Sequence, residues 1–169
     1  MSFAAHLAAQ IDAEHDASRR VIERVTDDML AWKPHEKSWS ALDLATHIAN
    51  LVSWGAMILT TDELDFASEE MKNWTPPTAD SVADVLALLD QNVATVKGIL
   101  KGMADADLEA TWTMRTGEQI FSADPRAFAF ARWVLSHQSH HRGELVVYLR
   151  LNDVPVPGIF GPSADEQEM

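Results

Sequence analysis

Between residues 81 and 103, Val82, Val85, Leu86, Leu89, Val93, Val96 and Leu100 recur every three or four positions. That spacing matches the 3.6-residue turn of an α-helix and not the two-faced alternation of a strand. The same period appears in three other segments. Leu7, Ile11, Ile22 and Val25 share one face of a helix expected over about 3–30. Leu44, Ile48, Leu51, Gly55 and Ile58 share one over about 40–61, and Phe130, Val134, His137, His141, Leu145 and Tyr148 share one that runs to about 151. Apolar stripes on separate helices are buried most readily against one another. The expected fold is therefore all-α, an antiparallel-type four-helix bundle forming a single domain over 1–169.

Punctuation between the stripes agrees. Pro34 interrupts the first helical run, and Ser40 with Asp43 makes the S-x-x-D start signal of the second. Pro76 and Pro77 mark a polar connection. In "TWTMRTGEQIFSADPR", Trp112 and Met114 alternate with polar residues and Gly117 offers a turn, so a short irregular or hairpin segment precedes the last helix. Pro125 suits that helix's first turn. The tail, 153–169, has three prolines and two glycines and is expected to be non-helical. The connections near 62–80 and 104–124 are long enough for a crossover.

The net charge of −13 argues against nucleic-acid binding and against docking on anionic membranes, since both need clustered Lys and Arg. The chain has no cysteine, which excludes disulfides, thiolate metal sites and a cysteine nucleophile. Any metal must be held by His, Asp or Glu. The start "MSFAAHLAAQIDAEHD" lacks the basic and apolar regions of a signal peptide, and no apolar run reads as a membrane span. A cytoplasmic location is the expectation.

Three of the seven histidines fall within "SHQSHHRGEL". At 100° per residue, His137 and His141 share the apolar stripe of the last helix one turn apart, and His140 lies about a quarter turn away. His47 lies beside Leu44, Ile48 and Leu51 on the inward face of the second helix. Two inward histidines at i, i+4 facing a third from another helix is how bundles build metal sites. A single inward His is more often a hydrogen-bonded core residue, but three buried imidazoles need many partners if no metal is present. The pair lacks the H-E-x-x-H signature, because Gln138 stands where a metalloprotease has its glutamate. Glu144, at the edge of the same face, is a candidate fourth ligand, hydrogen-bond partner of a ligand, or proton acceptor; an exposed salt bridge is the plain alternative. Asp43, one turn before His47, could orient that imidazole or be occupied in the capping box. His15 is expected at a core boundary, His6 in solvent and His35 in a local loop contact. Arg142 is expected in a structural salt bridge.

"LATHIANL", "HQSHHRGEL", "WKPHEKSW" and "GIFGPSADE" together resemble the DinB family, also called DinB/YfiT-like, and the resemblance covers essentially the whole chain. It implies an up-down-down-up four-helix bundle, usually homodimeric, with a divalent metal on His47, His137 and His141. His140 is not a ligand in that pattern. Many members carry Gln where this chain has Glu144. Some members join low-molecular-weight thiols such as bacillithiol or glutathione to electrophiles, or use mycothiol to isomerise maleylpyruvate; many have no known reaction.

Three imidazoles leave a coordination position open, as in catalytic zinc sites, and suit Zn or Ni, with Fe or Mn as further candidates. The expected function is a divalent-metal-dependent enzyme acting on a small molecule, with a thiol-dependent S-transferase acting on small electrophiles as the first reading. A hydrolase using metal-activated water in the same cavity, or a non-enzymatic metal-binding or ligand-sensing module, are the alternatives.

Overall fold

The computed structural model describes residues 2–167. Four helices of the expected period dominate it. Helix α1 (Phe3–Ile22) starts at Ser2, whose Oγ accepts from Ala5 N. Helix α2 (Ala41–Thr60) has the predicted capping box: Ser40 Oγ accepts from Asp43 N at 3.1 Å, and Asp43 Oδ2 accepts from Ser40 Oγ at 2.6 Å and Ser40 N at 3.4 Å. One strand and a short helix follow: β1 (Glu63–Asp65), then α3 (Glu69–Asn73), capped by Ser68. The next long helix, α4 (Val82–Lys101), is capped by Ser81 and followed by α5 (Asp105–Glu109). Strands β2 (Thr111–Thr116) and β3 (Gln119–Pro125) lead into α6 (Arg126–Phe130), a π-helical segment (Ala131–Ser136) and α7 (His137–Leu151).

The first helix stops at Ile22, short of the expected residue 30. Arg24 N bonds Val21 O and Val25 N bonds Ile22 O, which tightens the last turn, and Thr26 is extended before a 3₁₀ turn at Asp27–Met29. Thr26 and the two aspartates that follow favour turn and cap conformations over helix interior. Val25 and Met29 are nevertheless buried, so the stripe continues into the core although the helix does not.

The chain is mostly helical but not wholly so. The hairpin anticipated around Gly117 is formed by β2 and β3, and Gly117 has φ +56°, the left-handed region where a side chain would be strained. A third strand, β1, was not expected. It pairs parallel to β2, giving the order β1-β2-β3. The inward sheet face buries Leu64, Trp112 and Met114. Trp112 Nε1 donates to Thr61 Oγ at 3.3 Å, tying the hairpin to the end of α2.

Cross-helix contacts give relative directions. Between α1 and α4, Asp12 meets Lys97 and His15 meets Asp90, so the two run antiparallel. Between α2 and α4, Asn92 Nδ2 donates to Ala49 O at 3.0 Å while Gly55 faces Val96, so these are parallel. Between α2 and α7, Tyr148 OH donates to Trp39 O, Gln138 Nε2 donates to Ile48 O, and Gly55 faces Phe130, so these are antiparallel. Helix α2 is central. By length and composition it could cross a membrane, with a hydropathy of 1.3 over its most apolar stretch, contrary to the expectation that no run would. In the fold 61% of that stretch is buried against protein, where an apolar core helix satisfies the same pattern.

Candidate metal centre

The antiparallel contact of α2 with α7 brings His47, His137 and His141 together. Their ring centroids are 4.7 Å apart for His47–His141, 4.8 Å for His137–His141 and 5.5 Å for His47–His137. One nitrogen from each lies within 4.8 Å of the others. His137 opens α7 directly after the π segment, and the i, i+4 spacing then stacks His141 one turn above it. Gln138 is 1% exposed and donates to Ile48 O at 3.2 Å, which pins α7 to α2 at the residue next to His47.

The protonation pattern follows from the contacts. Glu144 Oε2 lies 2.7 Å from His141 Nδ1, so that nitrogen donates to the carboxylate and His141 Nε2 is left with its lone pair. His141 Nε2 in turn lies 3.0 Å from His137 Nε2. His47 Nε2 is buried and has no hydrogen-bond partner among the described residues. Burial lowers the His47 pKa to about 4, with the neighbouring His141 and His137 adding to the effect and Glu144 opposing it. Burial also lowers the His137 pKa, helped by His141 and His140 and opposed by the Trp133 carbonyl and Glu144. His137 Nδ1 makes no hydrogen bond of normal geometry, so the Trp133 carbonyl is only a loose partner for it. Burial favours the neutral rings of His47 and His137, and with His141 they offer converging nitrogens, one of them unpartnered, a donor set that can hold a divalent metal ion.

The other predicted residues fall into place around this cluster. His140 is outside the trio; its exposed ring lies 3.3 Å from Glu144 Oε1. Asp43 is held by Ser40 in the capping box and makes no hydrogen bond to His47 among the described residues, so it does not orient that imidazole. Arg142 is 2% exposed and pairs with Glu14, with Ser18 Oγ 3.2 Å away. His15 lies at the α1–α4 boundary and bonds Asp90 at 2.7 Å. His6 is exposed, and His35 Nδ1 accepts from Lys37 N.

Sequence reasoning missed the walls. Trp39 lies 4.6 Å from the His47 ring and 5.6 Å from the His141 ring. Beside His47 opens a cavity of about 330 Å³ lined by Trp39, Asp43, Thr46, Asn50 and residues 76–79. The Trp immediately before the Ser40 cap was the available signal for the first wall. Nothing local marks 76–79, which read only as a connection.

The DinB superfamily profile matches residues 10–145. The chain belongs to the DinB superfamily. The Bacillus subtilis (strain 168) protein YrdA, named as uncharacterised, is 24% identical over 161 residues, covering 95% of this chain and 90% of YrdA. The crystal structure of YjoA, a DinB-like protein of Bacillus subtilis, is similar in fold, with a TM-score of 0.69 at 18% identity, covering 96% of this chain and 99% of YjoA. That of a DinB-like protein of Bacillus cereus ATCC 10987 has a TM-score of 0.62 at 22% identity, covering 88% of this chain and 91% of the other. These likenesses carry the DinB-like fold across nearly the whole length of the chain.

Proposed function

We propose that this DinB superfamily member is a divalent-metal-dependent enzyme that joins a low-molecular-weight thiol to a small electrophile. The observation that carries the reading is the convergence of His47, His137 and His141 with His47 Nε2 left unpartnered. A bound Zn or Ni ion, or Fe or Mn, supplies Lewis acidity and favours the thiolate form of an incoming thiol. The chain's residues supply the rest. His47, His137 and His141 hold the ion as neutral donors. Glu144 takes the His141 Nδ1 proton in a hydrogen bond, fixing the tautomer and raising the basicity of Nε2. With its side chain 44% exposed, Glu144 also sits where it can accept a proton from a group arriving at the rim. Trp39 walls off one side of the cluster, and the cavity beside His47 receives the electrophile.

The four long helices are read as an up-down-down-up bundle, supported by the antiparallel, parallel and antiparallel contacts of α1 with α4, α4 with α2, and α2 with α7. A homodimer is part of the proposal; light scattering is expected to give twice 18.7 kDa, and a mass of 18.7 kDa would reject it. The activity is tested by loading the protein with Zn or Ni and screening thiol-plus-electrophile pairs beside esters and amides. Thiol consumption by the wild type that vanishes in a folded His47→Ala variant supports the transferase. Turnover of esters or amides alone points to a hydrolase, and metal binding without turnover to a binding module.

A further inference from the structure

Helix α2 carries a second concavity, beyond the one at His47. The crossover through β1 and α3 lies over Trp54 and Met57 and brings Phe66, Glu70 and Trp74 around them, enclosing about 330 Å³. The two cavities share no lining residue. Large aromatics in this fold can be buried completely, as Trp112 and Phe130 are, yet Phe66 and Trp74 stay 36% and 46% exposed at this wall.

We propose that this cavity binds a small organic cation, a quaternary or tertiary ammonium compound. The hydroxyls in its wall are already engaged: Ser53 Oγ donates to Asn50 O at 2.8 Å, and Thr61 Oγ donates to Met57 O at 2.9 Å and accepts from Trp112 Nε1. The rest of the lining is mainly aromatic and thioether, and Glu70, exposed at its rim, is the one charged residue in the wall. The nearby Lys72 is committed to Glu69 at 2.7 Å, and no ion pair to Glu70 occurs among the described residues. Aromatic faces attract cations through their quadrupoles, and a quaternary ammonium offers no N–H that would need an acceptor. A neutral apolar ligand would gain nothing from the Glu70 charge at the rim, and an anion would meet both that carboxylate and a net charge of −13.

The test is calorimetric titration with choline and with 3,3-dimethylbutan-1-ol, its neutral isostere, on wild type, Glu70→Gln, Trp74→Ala, Trp74→Phe and His47→Ala. Choline is expected to bind the wild type, with the isostere about tenfold weaker or more, and both Glu70→Gln and Trp74→Ala about tenfold weaker for choline. Trp74→Phe keeps an aromatic face and should retain most of the affinity, which separates a lost ring from a lost fold. His47→Ala should bind choline as the wild type does, so that failure of the metal reading leaves this result intact. Equal affinity for the isostere, full affinity in Glu70→Gln, or no heat with choline at millimolar concentration overturns the proposal. So does light scattering in which Trp74→Ala dissociates a dimer, because the cavity is then a self-interface.

Discussion

His47 shows how one buried imidazole couples acidity to folding. Its pKa falls from an ordinary 6.5 to about 4, chiefly because burial disfavours the charged ring. In metal-free protein the folded state therefore resists a proton that the unfolded chain accepts. The stability this represents is fully present above pH 6.5 and is lost as pH falls toward 4; the full shift corresponds to about 3 kcal/mol, which solvent screening of this half-buried ring reduces to about 1–2 kcal/mol. Denaturant unfolding of the metal-free protein across that window should show the decline, and His47→Leu should flatten it; an unchanged slope in the variant would refute the assignment. With metal bound, protons compete at all three ligands, so occupancy should be near its plateau at about pH 8 and fall below about pH 6. Glu144 and its two histidine neighbours make a sharper comparison. Glu144→Gln should weaken metal affinity about tenfold, because a hydrogen bond survives while the charge behind His141 does not. His141→Ala should strip the metal and His140→Ala should not. Competition with a chelator, read by elemental analysis, orders the three variants.

At the scale of elements, α2 owes its central position to a missing side chain. A Cβ on Gly55 would sit 2.7 Å from Phe130 Cε2 and 3.1 Å from Val96 Cγ2, so the glycine lets α2 lie close to both α6 and α4. Phe130 is fully buried and has little room to retreat. Gly55→Ala gains helix propensity of roughly 1 kcal/mol but meets that ring, and overpacking costs roughly 1–3 kcal/mol. The expected outcome is a net loss of about 1 kcal/mol for Gly55→Ala and a larger loss for Gly55→Val. Thermal melts of both variants check it, and a stabilised Gly55→Ala would show that the helices are free to separate. The π segment at Ala131–Ser136 has a comparable positional effect, since it lies directly before His137 and so sets where the face bearing His137 and His141 points.

For the whole molecule, the core does not depend on the histidine cluster. Buried residues from α1, α2, α4, α6, α7 and the sheet form one apolar cluster, from Leu7 and Ile11 through Val96 and Trp112 to Leu149. Metal should therefore add stability by mass action only, about 2.7 kcal/mol at a hundredfold excess over Kd. Chelation should lower the melting temperature while leaving the helical circular-dichroism signal in place at room temperature. Complete loss of that signal would place this chain with the small domains whose folding requires their ion.

Interactions confined to a turn or two were legible from residue order alone. The stripe of α4, the Ser40–Asp43 capping box, the turn at Gly117 and the stacking of His137 on His141 each depend on spacing within a few residues. The inward placement of His47 could also be read, because helical periodicity assigns a residue to a face. Contacts between distant segments depended on packing. The parallel pairing of β1 with β2 joins Leu64 to Met114, and a three-residue strand has too short a pattern to announce itself. The end of α1 at Ile22 was hidden because Val25 and Met29 remain buried in a turn, and burial is what the stripe records. The walls at Trp39 and 76–79 came from packing, and the Glu144–His141 hydrogen bond was one choice among several that the spacing allowed. Periodicity says which way a side chain faces; only the docking of α2 against α7 decides which atom it meets and which nitrogen, here His47 Nε2, is left without a partner.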